Sequence, residues 1–365
     1  MQHRFRLAVV LALSALGSAA GCVSAQKLAY RPDELRAEVH RRAPELDPAD
    51  IVVPYELSPA HVELAHQLVH AVSAESGGVR SRAFENERVR ELAGALFDPR
   101  RLGLRYVPSV TTTAEETLRQ SQGNCLALAS VFIGLARAVG LEAYYIDASV
   151  QMHETRYADD GTTVNEGHVT AMVKTPIANI GLDFSAAGRV KWYRVLDDVE
   201  ALAHFYNNRG FEQLDRAEAA GEAVDWIAIE RDFRRAVQVL PSFARAWNNL
   251  GLAASRLGRR DEAMRNYRTA IARDPRLAAP HNNLGSLYLA AGDLEAALTE
   301  LEAAAKLDPA GSHIQYNLAM ALLQRGDRDG ARRALERAIA LRADYPQAQA
   351  MLSELGPPPS GRGTP

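Results

Sequence analysis

The sequence predicts an α+β domain followed by an all-α array of repeats that stacks into a superhelix. Two observations lead to this fold class. A long apolar stretch, "CLALASVFIGLARAV" at residues 125–139, is followed by segments rich in β-branched and aromatic residues. From about residue 201 to 355, the chain has a helical pattern that repeats itself every 34 residues. A chain of 365 residues is long enough for two or three such domains.

The composition excludes several classes of function. The chain is 47% hydrophobic and 24% charged, with a formal net charge of -3, so it lacks the basic excess of a nucleic-acid-binding surface. No Gly-rich phosphate loop occurs, and no Cys or His pair stands at a spacing typical of metal ligands. We therefore expect no nucleic-acid partner, no cofactor and no metal.

Residues 1–21 have the layout of an export signal. Arg4 and Arg6 precede the apolar run "LAVVLALSAL" and the small residues "GSAAG". The sequence "AAGC" at residues 19–22 resembles the lipobox of bacterial lipoproteins, which implies that Cys22 is lipidated and anchors the protein to a membrane. The implied location is the bacterial cell envelope, and Val23 in place of Asp favours the outer membrane facing the periplasm. Simple secretion with cleavage near Ala20 is the alternative.

The rest of the chain divides by its composition and its periodicity. A helical region without a chemical motif comes first, at residues 22–106, and the α+β domain follows at 107–200. The sequence then predicts a degenerate repeat at 201–243, three regular repeats at 244–355 and a disordered tail rich in Pro and Gly at 356–365.

The regular repeats are defined by recurring small residues. "WNNLG" ends at Gly251, "HNNLG" at Gly285 and "YNLA" at Ala319, each 34 residues after the one before. This pattern resembles the tetratricopeptide repeat, in which paired helices meet at small residues and stack around a concave face. "YNNRG" ends at Gly210, which lies 41 residues before Gly251, so the first unit has seven extra residues. We expect this insertion near "AEAAGEA" and interpret the unit as an adaptor between modules.

One asparagine recurs in every unit, two residues before the Gly or Ala position. In the family that the repeats resemble, this side chain faces the groove and often binds a peptide backbone, which implies a peptide or protein ligand. An asparagine that caps or cross-links neighbouring helices is the alternative. The four candidates are Asn208, Asn249, Asn283 and Asn317.

Cys125 is the candidate nucleophile. If Cys22 is lipidated, Cys125 is the one thiol left in an oxidising compartment, and it has no disulfide partner. The pattern "TTAEETLRQSQGNC" predicts a short helix capped by Thr113, a break, and a second helix that begins at Asn124 or Cys125. The first turn of such a helix favours a thiolate, and its free amides could hold an oxyanion. A small apolar core residue is the alternative.

A thiolate nucleophile needs a histidine and a group that orients it. His168 opens the strand-like segment "HVTAMVKT", and Asp183 lies in "GLDFS"; adjacent antiparallel strands can place such a pair side by side. His153 is the rival histidine, but it lies in the loop "QMHETRYADDGTTVNEG", where we expect it to be exposed to solvent.

The order Cys, His, Asp resembles the transglutaminase-like superfamily, whose papain-like core packs a cysteine helix on a sheet. "GNCLALASVFIGLARAVGLEAYYI", "GHVTAMV" and "GLDFS" are similar to its three motifs. The resemblance implies Cys125 as nucleophile, His168 as base and Asp183 as orienting group. Leu126 departs from the aromatic residue found in many members, which affects the type of substrate. Gln120 or Gln122 could complete the oxyanion site.

These features predict thiol-dependent acyl chemistry on a peptide or protein amide, with hydrolysis as the default and transfer to an amine as the variant. The repeats would recruit the substrate or a partner protein. The competing hypothesis is a non-catalytic relative that acts as an envelope scaffold through its repeats.

Overall fold

The computed structural model describes residues 9–12, 27–75, 82–148, 155–157, 163–165, 169–182, 184 and 193–356. They fall into two compact units. The first unit contains residues 1–154 and 167–241, and the second contains residues 155–166 and 242–365.

The described helices and strands follow the predicted order, with an α+β part first and helices alone towards the end. The first unit contains α1 Pro32–Arg42, a 3-10 helix Pro48–Asp50, α2 Pro59–Glu75, α3 Arg82–Phe97, α4 Ala114–Gln120, α5 Cys125–Ala138, α6 Asp198–Ala220 and α7 Trp226–Val239. The strands are β1 Val9–Ala12, β2 Arg105–Tyr106, β3 Gln122–Gly123, β4 Glu142–Asp147, β5 Thr155–Tyr157, β6 Thr163–Asn165, β7 Val169–Lys174, β8 Asn179–Leu182 and β9 Arg194–Leu196.

The main sheet of the first unit has the order β1-β8-β7-β4-β9, and every pairing in it is antiparallel. Tyr145 of β4 lies opposite Ala171 of β7, and Ala171 lies opposite Leu182 of β8. β1 lies within the predicted export signal, so its pairing with β8 belongs to the chain before any cleavage. Loss of residues 1–21 would leave β8 as an edge strand of the sheet.

Helix α5 forms the centre of the first unit. Twelve of its 14 residues are buried, which confirms the prediction made from its apolar sequence. It packs on β4 and β7 and also contacts α2, α3 and α4. Ser130 of α5 donates to the carbonyl of Leu126 at 2.8 Å and lies 2.9 Å from the hydroxyl of Tyr145 on β4. Helices α2 and α3 of the N-terminal helical region thus share a core with the cysteine helix.

The last turn of α5 is held by a buried ion pair. Arg137 donates two hydrogen bonds to Asp198, from Nη1 to Oδ2 at 2.7 Å and from Nη2 to Oδ1 at 2.9 Å. Its Nε donates to the carbonyl of Ala143 on β4 at 3.0 Å. Asp198, at the start of α6, also accepts from the backbone N–H of Tyr30 at 2.8 Å. One charge pair therefore joins α5, β4, α6 and the segment before α1.

The second unit is built from helical pairs. Its helices are α8 Ala244–Arg256, α9 Arg260–Arg273, α10 Ala278–Ala291, α11 Leu294–Leu307, α12 Ser312–Arg325, α13 Arg328–Leu341 and α14 Pro346–Glu354. The predicted close approach at the small residues is present: a Cβ at Gly251 would lie 2.6 Å from Cε1 of Tyr267, and one at Gly285 would lie 2.7 Å from Cγ of Leu301. Small and large residues therefore interlock as the repeat pattern predicts.

Helices α6 and α7 form the degenerate repeat. A Cβ at Gly210 would lie 2.8 Å from Cε1 of Phe233, which is the same kind of contact as in the regular pairs. Helix α7 begins at Trp226, which lies 16 residues after Gly210. Helix α9 begins at Arg260, which lies nine residues after Gly251. The seven extra residues therefore lie between Gly210 and Trp226, in the region that the sequence indicates. α6 and α7 belong to the first unit.

The loop "QMHETRYADDGTTVNEG" contains a β-hairpin, a feature that its sequence does not predict. Strands β5 and β6 pair antiparallel, with Thr155 opposite Asn165. In the chain they stand between β4 and β7, but they belong to the second unit, in which β6 lies against α8 and α10. Strand β6 therefore lies against α8 and α10, which are the first helices of two repeats.

Gly134→Ala tests the packing of α5. An added Cβ would lie 2.5 Å from the carbonyl oxygen of Tyr55 and 3.0 Å from Cγ of Leu57, and backbone cannot yield as a flexible side chain can. We expect a loss of about 1–3 kcal/mol in the free energy of unfolding, measured by urea denaturation. Gly94→Ala is the matched control. A Cβ at Gly94, in α3, would meet no atom within 4 Å, so we expect a gain of about 0.5–1 kcal/mol. Equal stability of the two variants would contradict the described packing of α5.

His313 makes the stability of the repeats depend on pH. Burial, together with the positive charge of Arg342, lowers the pKa of His313 from 6.5 to about 3. The unfolded chain binds a proton at the ordinary histidine pKa and the folded chain does not, so the free energy of unfolding falls as pH decreases from about 6.5 towards 3. We expect His313→Asn to reduce the stability difference between pH 7 and pH 4. The control is His40→Asn, at an exposed position, after which the fall in stability that is due to His313 should persist.

Candidate active site at the start of the buried helix

Cys125 is the first residue of α5, in the position that the sequence predicts. Its exposed fraction is 7%. Asn124 is the N-cap in an extended conformation, and its Oδ1 accepts a hydrogen bond from the N–H of Ala127 at 3.0 Å. The preceding helix α4 has the predicted cap, in which Thr113 and Glu116 bond reciprocally. The C-cap of α4 is Ser121, which has a left-handed backbone with φ of 54°.

The loop before the cysteine is fixed by short backbone pairings. β3 pairs in parallel with β2, and Val107 donates its N–H to the carbonyl of Gly123 at 3.0 Å. Asn124 donates its N–H to the carbonyl of Val110 at 2.8 Å. A Cβ at Gly123 would lie 2.7 Å from Cβ of Ala127, so the loop approaches the helix as closely as glycine permits. The backbone that precedes Cys125 is therefore fixed by hydrogen bonds to residues 107 and 110 and by the close contact with α5.

The first turn of α5 leaves two backbone amides, those of Cys125 and Leu126, available beside the thiol. The N–H of Ala127 is capped by Asn124, and the N–H of Leu128 bonds to the carbonyl of Asn124 at 2.9 Å. Within the described part of the chain, no acceptor bonds the N–H groups of Cys125 and Leu126. Two donors at a helix N-terminus are what a tetrahedral oxyanion requires, and the helix dipole adds a partial positive charge there.

A buried carboxylate supports this helix start. Glu212, on α6, is 3% exposed. It accepts hydrogen bonds from the backbone N–H and the hydroxyl of Thr111, and from Nδ2 of Asn124 at 2.9 Å. Glu212 is not among the residues predicted from sequence, and no local signal marks it, because it lies 88 residues from Asn124 in the chain.

The two other predicted catalytic residues, His168 and Asp183, lie outside the described residues, as do His153 and Cys22. The strands that border the predicted pair are described: β7 begins at Val169 and β8 ends at Leu182, and the two strands are hydrogen-bonded neighbours. The roles of these residues stay predictions.

The glutamine candidates differ in their surroundings. Gln120 is the last residue of α4 and its side chain is exposed. Gln122 is half-buried on β3, three residues before Cys125. Of the two, Gln122 is therefore in the better position to contribute to an oxyanion site, which remains a prediction.

The repeat asparagines are buried, and two of the four candidates bond to the preceding repeat. Nδ2 of Asn283 donates to Oδ1 of Asn248 at 3.0 Å, and Nδ2 of Asn317 donates to Oδ1 of Asn282 at 2.9 Å. Nδ2 of Asn248 in turn donates to Oδ1 of Asn249 at 3.2 Å. Asn283 and Asn317 therefore link neighbouring repeats, and a role of the asparagines in binding a peptide stays a prediction. The fourth candidate, Asn208, is also buried.

Within the described ranges, no group of three or more His, Cys, Asp or Glu side chains is arranged to hold a metal ion. None of the helices in the part of the chain that the structure describes has the length and apolar character needed to cross a membrane.

Similarity to solved structures extends over about two fifths of the chain. A structure from Pseudomonas aeruginosa, from a functional characterization of PilF, is 24% identical and covers 42% of this chain and 67% of that chain, with a TM-score of 0.38. TTC0263, a thermophilic TPR protein of Thermus thermophilus, is 27% identical over 40% of this chain and 80% of that chain, with a TM-score of 0.35. YrrB, described as a TPR protein with an unusual peptide-binding site, is 16% identical over 43% and 80%, with a TM-score of 0.34.

No curated protein matches the chain. The model of the transglutaminase-like superfamily matches residues 76–195, and tetratricopeptide-repeat models match residues 213–278, 248–312 and 288–355. The chain therefore carries a transglutaminase-like domain over residues 76–195, followed by tetratricopeptide repeats over residues 213–355.

Proposed function

We propose that the protein is a thiol-dependent acyl hydrolase or transferase that acts on a peptide or protein amide. The observation that carries this proposal is Cys125 at the first residue of α5, with two backbone amides beside it for which the described chain offers no acceptor. Nucleophile and oxyanion donors would thus come from one helix end.

In the proposed reaction, Sγ of Cys125 attacks the carbonyl carbon of the amide while His168 accepts the thiol proton. The oxyanion that forms is held by the amides of the first turn of α5. When the C–N bond breaks, His168 donates the proton to the leaving amine and an acyl-thioester remains. Water, or an acceptor amine, then attacks the thioester and restores the thiol. Asp183 would orient His168 through the ring nitrogen that does not face the thiol.

The repeats belong to the same proposal as a recruitment module. Tetratricopeptide repeats commonly bind peptides or proteins, and a bound partner would be held at high local concentration near the domain that precedes them in the chain. We also propose that the protein is anchored by lipid at Cys22 in the bacterial envelope, on the outer membrane facing the periplasm. The support for this location is the export-signal layout and the "AAGC" sequence.

A non-catalytic scaffold is the second candidate function. The observation that favours it is the 7% exposure of Cys125, which also suits a small apolar core residue. The scaffold would act through its repeats alone, and the thiol would serve only to fill space under β4 and β7. The two functions differ in the reactivity of the thiol.

Alkylation of Cys125 separates the two functions. In a Cys22→Ser chain, Cys125 is the single thiol, and its reaction with iodoacetamide can be followed by mass spectrometry from pH 4 to 9. A catalytic thiolate should react rapidly below pH 7, where an ordinary thiol with a pKa of about 8.5 reacts slowly. We expect His168→Ala to slow the reaction at pH 6 by roughly tenfold or more, because the proton acceptor is lost.

His153→Ala is the matched control, since it removes the rival histidine and should leave the alkylation rate unchanged. Labelling that occurs only after denaturant is added would overturn the enzyme proposal and leave the scaffold. A rate that depends on His153 rather than His168 would reassign the base.

A further inference from the structure

We propose that Glu212 is a positioning residue of the candidate active site. From α6, it fixes the orientation of the Asn124 cap and thereby the backbone of the first turn of α5, on which Cys125 stands. The inference rests on the proposed function for its chemical meaning. Its structural content stands on the hydrogen bonds of Glu212 alone.

The carboxylate of Glu212 is surrounded by donors. It accepts from the backbone N–H of Thr111, from the hydroxyl of Thr111, and from Nδ2 of Asn124 at 2.9 Å. A carboxylate with 3% exposure requires such partners, because burial without them would be strongly unfavourable. It also lies near the N-terminus of α5, where the helix dipole favours a negative charge.

These bonds determine which way the amide of Asn124 points. Its Nδ2 donates to Glu212 and to Oγ1 of Thr111 at 2.7 Å, and its Oδ1 accepts from the N–H of Ala127 at 3.0 Å. If the amide turned over, Oδ1 would face the carboxylate and Nδ2 would face the N–H of Ala127. Both contacts would be repulsive, so Glu212 selects the orientation in which Asn124 caps the helix.

The cap in turn affects the reacting groups. Asn124 immediately precedes Cys125, and loss of an N-cap allows the first helical turn to open more often. The amides of Cys125 and Leu126 belong to this turn, so the direction in which their N–H groups point towards an oxyanion depends on the turn staying helical. A residue of the degenerate repeat unit would therefore contribute to the site of the transglutaminase-like domain.

The test measures hydrogen exchange in α5 and alkylation of Cys125 in parallel. Glu212→Gln, made in the Cys22→Ser chain, should raise amide exchange in the first turn of α5 by roughly tenfold and slow alkylation at pH 6 by a similar factor. Glu230→Gln is the matched control, because Glu230 is also a buried acid, on α7, and pairs with Arg234. The control should change both quantities by less than about twofold, because Glu230 pairs with the partly exposed Arg234 one turn along its own helix.

A second background separates positioning from general stabilisation. Serine is a good N-cap whose hydroxyl rotates freely, so an Asn124→Ser helix needs no fixed amide. If Glu212 acts through Asn124, adding Glu212→Gln to Asn124→Ser should cause no further rise in exchange. An equal rise in both backgrounds, or an unfolded double variant, would overturn the proposal. If Glu212→Gln alone does not fold, a folded double variant with unchanged exchange supports it.

Failure of the proposed function would be visible separately. If Cys125 of the unmutated Cys22→Ser chain reacts only in denaturant, the enzyme proposal fails, and the exchange data still decide whether Glu212 positions the helix start. If Cys125 reacts rapidly and Glu212→Gln changes neither its rate nor the exchange of the first turn, the enzyme proposal stands and the role of Glu212 is rejected.

Discussion

The buried ion pair between Arg137 and Asp198 organises the first unit. The side chain of Asp198 is fully buried and that of Arg137 is 16% exposed, so neither charge is satisfied by solvent to any great extent. A buried pair of this kind contributes less to stability than its Coulomb energy suggests, but the loss of one partner is costly because the other charge is left buried. The residues around it are therefore constrained to keep both groups in place.

Helix α6 supplies carboxylates to both ends of α5. Asp198 binds Arg137 in the last turn of α5, and Glu212 binds Asn124 at its N-cap. Asp198 and Glu212 are 14 residues apart, which is about 21 Å in a regular helix, and their partners Arg137 and Asn124 are 13 residues apart, which is about 20 Å. The match in length allows one helix to hold the other at its two ends. The seven-residue insertion of the degenerate repeat lies between Gly210 and Trp226, near the contact that Glu212 makes.

Local signals account for what the sequence predicts well. The repeats, the capping box at Thr113 and the burial of α5 follow from spacing and polarity within one or two turns, and the structure has all three. Glu212 could not be found in this way, because its partners are brought to it by tertiary folding. The hairpin β5–β6 was missed for a related reason: a polar loop sequence does not reveal the helices against which it lies. The bonds that Asn283 and Asn317 make to the preceding repeat could not be predicted either, because they depend on which amides meet across neighbouring helices.

The hairpin has a consequence for any peptide that uses the layer of α8 and α10. Because β5 and β6 belong to the same polypeptide, they compete for this surface as a tethered ligand, at an effective concentration on the order of millimolar. A free peptide must overcome that local concentration before it occupies the same helices. The repeats would therefore discriminate against abundant peptides that bind only weakly.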